Sequence, residues 1–183
     1  MINKNLKIKK VIQSTLTAVG MDLEIQEELS GINMSYNFIL HYIGYDVIRI
    51  KSAIKEVPDA ISLEDYIKTF SLHELGHAID RESLLGSLDR TIEIYKMKQK
   101  HSIEEKYHDM SLLSMLIEEH QMNIAFEETA WRNAEKLNRK YGLVDWLTFN
   151  FLRNMGLNTY IETYEKDLLL LDDLMNRESG QIA

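Results

Sequence analysis

Residues 70–80 read FSLHELGHAID, and this stretch constrains the fold more than any other in the chain. His73 and His77 share a side only if the segment is helical, because positions i and i+4 are neighbours on consecutive turns, with Cβ atoms about 5–6 Å apart. Glu74 follows the first histidine, about a quarter-turn round the same helix. Leu72, Leu75, Ala78 and Ile79 surround the pattern with apolar side chains. Gly76 weakens a helix in isolation, so its presence invites a packing explanation, such as the close approach of a neighbouring backbone. The spacing predicts a buried helix that starts at Ser62, where Asp65 three residues on completes a weak capping box, and runs through Ile67 and Phe70 into the motif.

The His and Glu frequencies of the chain give roughly 0.02 chance occurrences of H-E-x-x-H, so accident is a poor explanation. Its residue types suit zinc. Two imidazoles from consecutive turns can reach one ion, and Glu74 beside them can take a proton from an attacking water as general base. The ion would lower the pKa of that water to about 7 and polarise a scissile carbonyl. With no cysteine in the chain, disulfides are excluded and any metal must be held by His, Asp or Glu.

A catalytic zinc usually takes three protein ligands, so the motif predicts a third elsewhere. The metzincin continuation needs glycine at 80 and histidine at 83, where this chain has Asp80 and Ser83. A glutamate from a later helix is the other solution, and IAFEETAWRNAEKL offers Glu127 and Glu128. Helical periodicity separates them. Leu113, Leu116, Ile117, His120, Ile124, Glu127, Ala130, Trp131, Ala134 and Leu137 follow one stripe, apolar almost throughout, whereas Glu128 shares its face with Gln121, Arg132 and Glu135. A carboxylate on a core face costs several kcal/mol unless it is paired or metal-bound, so Glu127 is the expected third ligand. His120 on the same stripe, and Tyr107 or His108 before it, are candidates for an alternative ligand or a donor to a tetrahedral oxyanion. Asp80, three residues after His77, could accept from that histidine's second nitrogen.

The rest of the chain sets the frame. KNLKIKK opens an amphipathic first helix whose Ile8, Val11, Ile12, Leu16 and Val19 repeat at helical spacing, leaving the lysines on a solvated face. LEIQ and two runs within SYNFILHYIGYDVIRIKS, separated at Gly44, predict a small sheet. Past the motif, the charged stretch broken by Gly86 predicts short helices and loops. A long helix from about Ser111 to Tyr141 and two more, roughly 144–155 and 158–176, then follow, with Gly142 and Gly156 as punctuation and NRESGQIA as a loose tail. No linker or repeat divides the chain, so residues 1–183 are expected to form a single domain of α+β class, mainly helical. A net charge of −8 argues against a nucleic-acid partner. No segment has the roughly 18 apolar residues of a membrane span, and polar residues interrupt the only candidate export signal, so a cytoplasmic location is expected.

HELGH followed some fifty residues later by EETAW resembles the glutamate-zincin metallopeptidases, in which H-E-x-x-H on one helix is completed by E-x-x-A on another. Glu127 and Ala130 match the second element as it occurs in the ImmA/IrrE-type and Ste24/HtpX-type peptidases. The absence of membrane spans brings the chain closer to the soluble ImmA/IrrE-like, minimal-zincin side, or to a separate bacterial zincin-like family. Trp131 stands where both types carry Asn or Asp. The resemblance covers about residues 62–140. It implies a zincin-like fold with a small twisted sheet packed on the H-E-x-x-H helix and a peptide substrate extended along an edge strand. It implies a zinc-dependent endopeptidase with Zn2+ on His73, His77 and Glu127, acting on a protein or peptide, such as a regulatory protein. The alternative from a different class is a zincin-fold regulatory or protein-binding module with weak or no turnover.

Overall fold

The structure, a computed structural model, describes the backbone of residues 4–180 and the side chains of 7–177. Two compact units make up the chain. The first contains the residues up to Leu85 with Glu128–Asn154, the second Gly86–Glu127 with the residues from Met155 onward.

Helix α1 (Lys4–Val19) opens the first unit. Its periodicity is realised: Ile8, Val11, Ile12, Leu16 and Val19 are buried while Lys7, Lys9 and Lys10 are exposed. It packs on α3 (Leu63–Ile79), the helix that carries the histidine motif. Strands β1 (Glu24–Glu27), β2 (Met34–Asn37) and β3 (Tyr42–Tyr45) form a mixed sheet in the order β1-β3-β2, with β1 parallel and β2 antiparallel to the central β3. A mainly helical α+β architecture with a small mixed sheet is therefore present. β2, an edge strand, packs against α3. Asn33 Nδ2 donates to the Tyr66 hydroxyl at 2.9 Å just before β2, and Arg81 Nε to the Phe38 carbonyl at 2.8 Å just after it, so strand and helix run side by side. Burial pushes the Tyr66 phenol up to about 12, so it serves as a neutral acceptor.

Two expectations about this region fail. The break between β2 and β3 lies at residues 38–41, with His41 in the left-handed region at φ 61, and not at Gly44. Gly44 instead sits inside β3, where a Cβ would come within 2.6 Å of the Glu28 carboxylate. The second apolar run, read as a strand, is the helix α2 (Val47–Ala53). Asp46 decides this, since its side chain accepts from the N–H groups of Ile48 at 2.8 Å and Arg49 at 3.0 Å, and Val47, Ile50 and Ala53 then bury one helical face. The other Asp46 oxygen accepts from Gly31 at 3.0 Å, where a φ of +74 requires glycine.

These backbone donors hold the Asp46 carboxyl below the ordinary aspartate range. A depressed folded-state pKa gives stability present above the unfolded value of about 3.9 and lost as pH falls through the folded value. Asp46→Ala is therefore expected to melt at a lower temperature than wild type at pH 7. The gap should narrow as pH is taken below about 4, read by circular dichroism across a pH series.

In α3, Ser62 caps the first turn by accepting from the Asp65 N–H at 3.0 Å, as the sequence predicts. Tyr66, Ile67, Leu72 and Leu75 are at most 1% exposed. Each contributes on the order of 1.5–3 kcal/mol by leaving water, which holds the motif's backbone in place from both flanks.

The charged stretch forms α4 (Arg81–Gly86), α5 (Leu88–Lys100) and α6 (Ile103–His108), the last with a full Ser102–Glu105 capping box. In the second unit, Ile94 and Met97 of α5 bury against Leu113, Leu116 and Ile117 of α7 (Met110–Tyr141). The Arg90–Glu118 and Lys98–Glu119 ion pairs flank that contact.

Helix α8 (Trp146–Gly180) passes straight through Gly156, where a break was expected, and extends into the tail expected to be loose; residues 181–183 of that tail lie outside the described residues. One interior glycine costs a helix only about 1 kcal/mol, too little to stop propagation through so long an element. Among the described residues no helix is long and apolar enough to cross a membrane.

Candidate metal centre

Two helices build the centre. α3 carries His73 and His77 on consecutive turns, and α7 carries Glu127. One donor atom from each of these three residues lies within 4.8 Å of the other two. Atoms bound to one ion at 2.0–2.2 Å can be at most about 4.4 Å apart, so this spread needs only small side-chain adjustments to become a coordination set. Two imidazoles and a carboxylate are a donor set suited to zinc. His73 is 6% exposed and Glu74, next to it, 4%, so both are withdrawn from water, while His77 and Glu127 are half-buried.

Gly76 explains how α3 and α7 come close enough. A Cβ at this position would lie 2.1 Å from the carbonyl oxygen of Ala130, so the two backbones pack with no side chain between them. Asn133, buried on α7, donates from Nδ2 to the Gly76 carbonyl at 3.2 Å and fixes the register. Glu127 stands three residues before Ala130 on the same unbroken helix, about one turn away. The backbone contact that Gly76 permits thus sets the placement of Glu127.

Aromatic rings close the buried side. Trp131 stacks on His73, centroids 4.3 Å apart and planes at 27°, and meets Phe70 and Phe149 edge-on. His73 and His77 are themselves edge to face, with centroids 4.7 Å apart.

The sequence-derived candidates separate clearly. Glu127 joins the histidines, and Glu128 is exposed. Asp80 is the C-cap of α3, its side chain accepting from the Ser83 hydroxyl at 2.7 Å and its N–H donating to the His77 carbonyl. His120 belongs to a separate cluster in the second unit. Its Nε2 lies 2.9 Å from Oδ2 of Asp167, and the Tyr107 hydroxyl donates to the same buried oxygen at 3.4 Å. His108 Nδ1 meets the Glu104 carbonyl of its own helix at 2.8 Å. Asn133 and the stacking role of Trp131 were not anticipated. The only sequence signal for either was that both fall on or beside the apolar stripe of α7.

No family model matches the chain, and no curated protein or solved structure matches it.

Proposed function

We propose that this chain is a zinc-dependent endopeptidase of the zincin type, with His73, His77 and Glu127 as metal ligands and Glu74 as general base. The observation that carries the proposal is the convergence of the three donors within 4.8 Å, directly beside a buried glutamate in H-E-x-x-H order. A zinc ion held there would acidify an attacking water and polarise the scissile carbonyl. Glu74 takes the proton of that water and returns it to the leaving amine nitrogen, which completes hydrolysis without a covalent enzyme intermediate. Its low exposure favours this role, because a carboxylate shielded from bulk water keeps the transferred proton for the second half of the reaction.

The edge strand β2, which packs against the motif helix α3, supports substrate binding along it. The Asp46 N–H bonds to the Asn33 carbonyl at 3.0 Å, and in the β2–β3 register this turns the backbone groups of Met34 and Tyr36 away from β3. An extended peptide can add to that edge as a further strand, a recognition mode tolerant of sequence. The substrate is then a protein or peptide, with a regulatory protein as the partner the family resemblance favours, and the enzyme acts in the cytoplasm.

Metal content measured by mass spectrometry on purified protein tests the centre. Wild type is expected to carry about one zinc per chain, Glu127→Ala to lose most of it, and Glu128→Ala to retain it. Wild type free of metal, or loss in Glu128→Ala in place of Glu127→Ala, would refute the ligand assignment.

A further inference from the structure

Trp131 is 2% exposed, yet its indole Nε1 finds no hydrogen-bond acceptor among the described residues. Buried tryptophans usually satisfy this N–H, and leaving it unmade costs about 1–3 kcal/mol. A phenylalanine would fill much of the same apolar volume without that cost, so the polar handle does not account for the residue. What the indole does supply is its face. It lies against the His73 ring at 4.3 Å in a near-parallel stack, and Phe70 and Phe149 brace it at 6.0 and 5.8 Å in edge contacts. Ala130, immediately before it, is locked to Gly76 backbone to backbone, so the indole has little freedom to slide along α3.

We propose, on the basis of the zinc reading above, that Trp131 is the positioning residue for His73. Its indole face holds the imidazole in the plane needed for metal ligation. Histidine ligands are commonly oriented by a hydrogen bond to the second ring nitrogen, and partners of that kind change metal affinity by about 10–100-fold. Here a flat aromatic surface restricts rotation about the His73 side-chain torsions. The requirement is for an aromatic ring rather than for a donor, so phenylalanine is expected to rescue what an aliphatic side chain does not. A second consequence is optical. Trp131 is one of only two tryptophans, and its ring centre is 4.3 Å from that of a ligand, so its emission should respond to an ion in the centre.

The experiment titrates the metal-free full-length chain with Zn2+ against a competing chelator and with Co2+ followed by tryptophan emission. It uses wild type, Trp131→Phe, Trp131→Leu and Trp146→Phe, each checked for folding by circular dichroism. Trp131→Phe is expected within about threefold of wild-type zinc affinity and Trp131→Leu roughly 10–100-fold weaker. Co2+ should quench emission in wild type and Trp146→Phe more strongly than in Trp131→Phe, where only Trp146, beyond the Phe149 ring, remains. If Trp131→Leu binds Zn2+ as tightly as wild type, or if Trp131→Phe weakens as much as Trp131→Leu, the positioning role is wrong while the metal centre stands. Should Trp131→Leu fail to fold, Trp131→Met takes its place, with the same loss of zinc affinity expected, and retention of wild-type affinity overturns the role. A wild type that takes up neither ion overturns the zinc centre, and the positioning role with it.

Discussion

Replacing Glu74 with glutamine is expected to lower kcat/KM for peptide cleavage by about 10²–10⁴-fold while zinc content stays at the wild-type level. Glutamine matches glutamate in shape and can still accept and donate hydrogen bonds, so the packing around a side chain that is 4% exposed is preserved. What it cannot do at neutral pH is take a proton from water. The two measurements together separate base from ligand: loss of turnover with metal retained identifies a general base, whereas loss of both would make Glu74 part of the metal's support. Undiminished cleavage by Glu74→Gln would remove it from the mechanism altogether. If wild type binds zinc yet cleaves no peptide from a broad library, the regulatory-module alternative gains and the enzymatic one falls. A glutamate kept directly after His73 favours the enzyme, because a binding module could lose its general base without losing the metal.

The α3–α7 core of the centre was legible because helical periodicity reports burial directly. The stripe through Leu113, Ile124 and Ala134 put Glu127 on the inward side and Glu128 on the outward side, and Glu127 is the one that meets the histidines. Gly76 announced a close approach before its partner was known. Where the chain was misread, a local signal had two physical meanings. Gly44 looked like a turn and is a strand residue whose missing side chain makes room for Glu28, a distant choice with no trace in the neighbouring residues. DVIRIKS has the β-branched content of a strand, but Asp46 satisfies the first N–H groups of a helix and Ile50 finds core on the helical face. Gly156 looked like an end and is only a weak point in a helix long enough to absorb it. The partner of His73 could not be read at all. A stack between residues 58 positions apart is a tertiary fact, and Trp131 in the sequence offered only an apolar residue on an apolar stripe.

Gly76→Ala is expected to be among the most damaging single-methyl changes in the chain, although intrinsic propensity points the other way. Alanine favours a helix over glycine by about 1 kcal/mol, so at an open site the change should stabilise. At position 76 the new Cβ would lie 2.1 Å from the Ala130 carbonyl oxygen, 2.8 Å from its carbon and 3.0 Å from its Cα. All three are backbone atoms and cannot swing aside as a side chain could, so α7 must move away from α3 locally. Overpacking of this kind costs typically 1–3 kcal/mol or more, which exceeds the propensity gain. The same displacement stretches the Asn133 bond to the Gly76 carbonyl, disturbs the Trp131 stack on His73 and carries Glu127 away from the histidines. Zinc affinity should therefore fall together with stability. Gly86→Ala is the control: a Cβ there meets nothing within 4 Å, and its backbone is not in the left-handed region, so that variant should melt at or slightly above the wild-type temperature with metal binding unchanged. Equal behaviour of the two alanine variants would mean that α3 and α7 are not held by backbone contact at Gly76, and the placement of Glu127 would then need another cause.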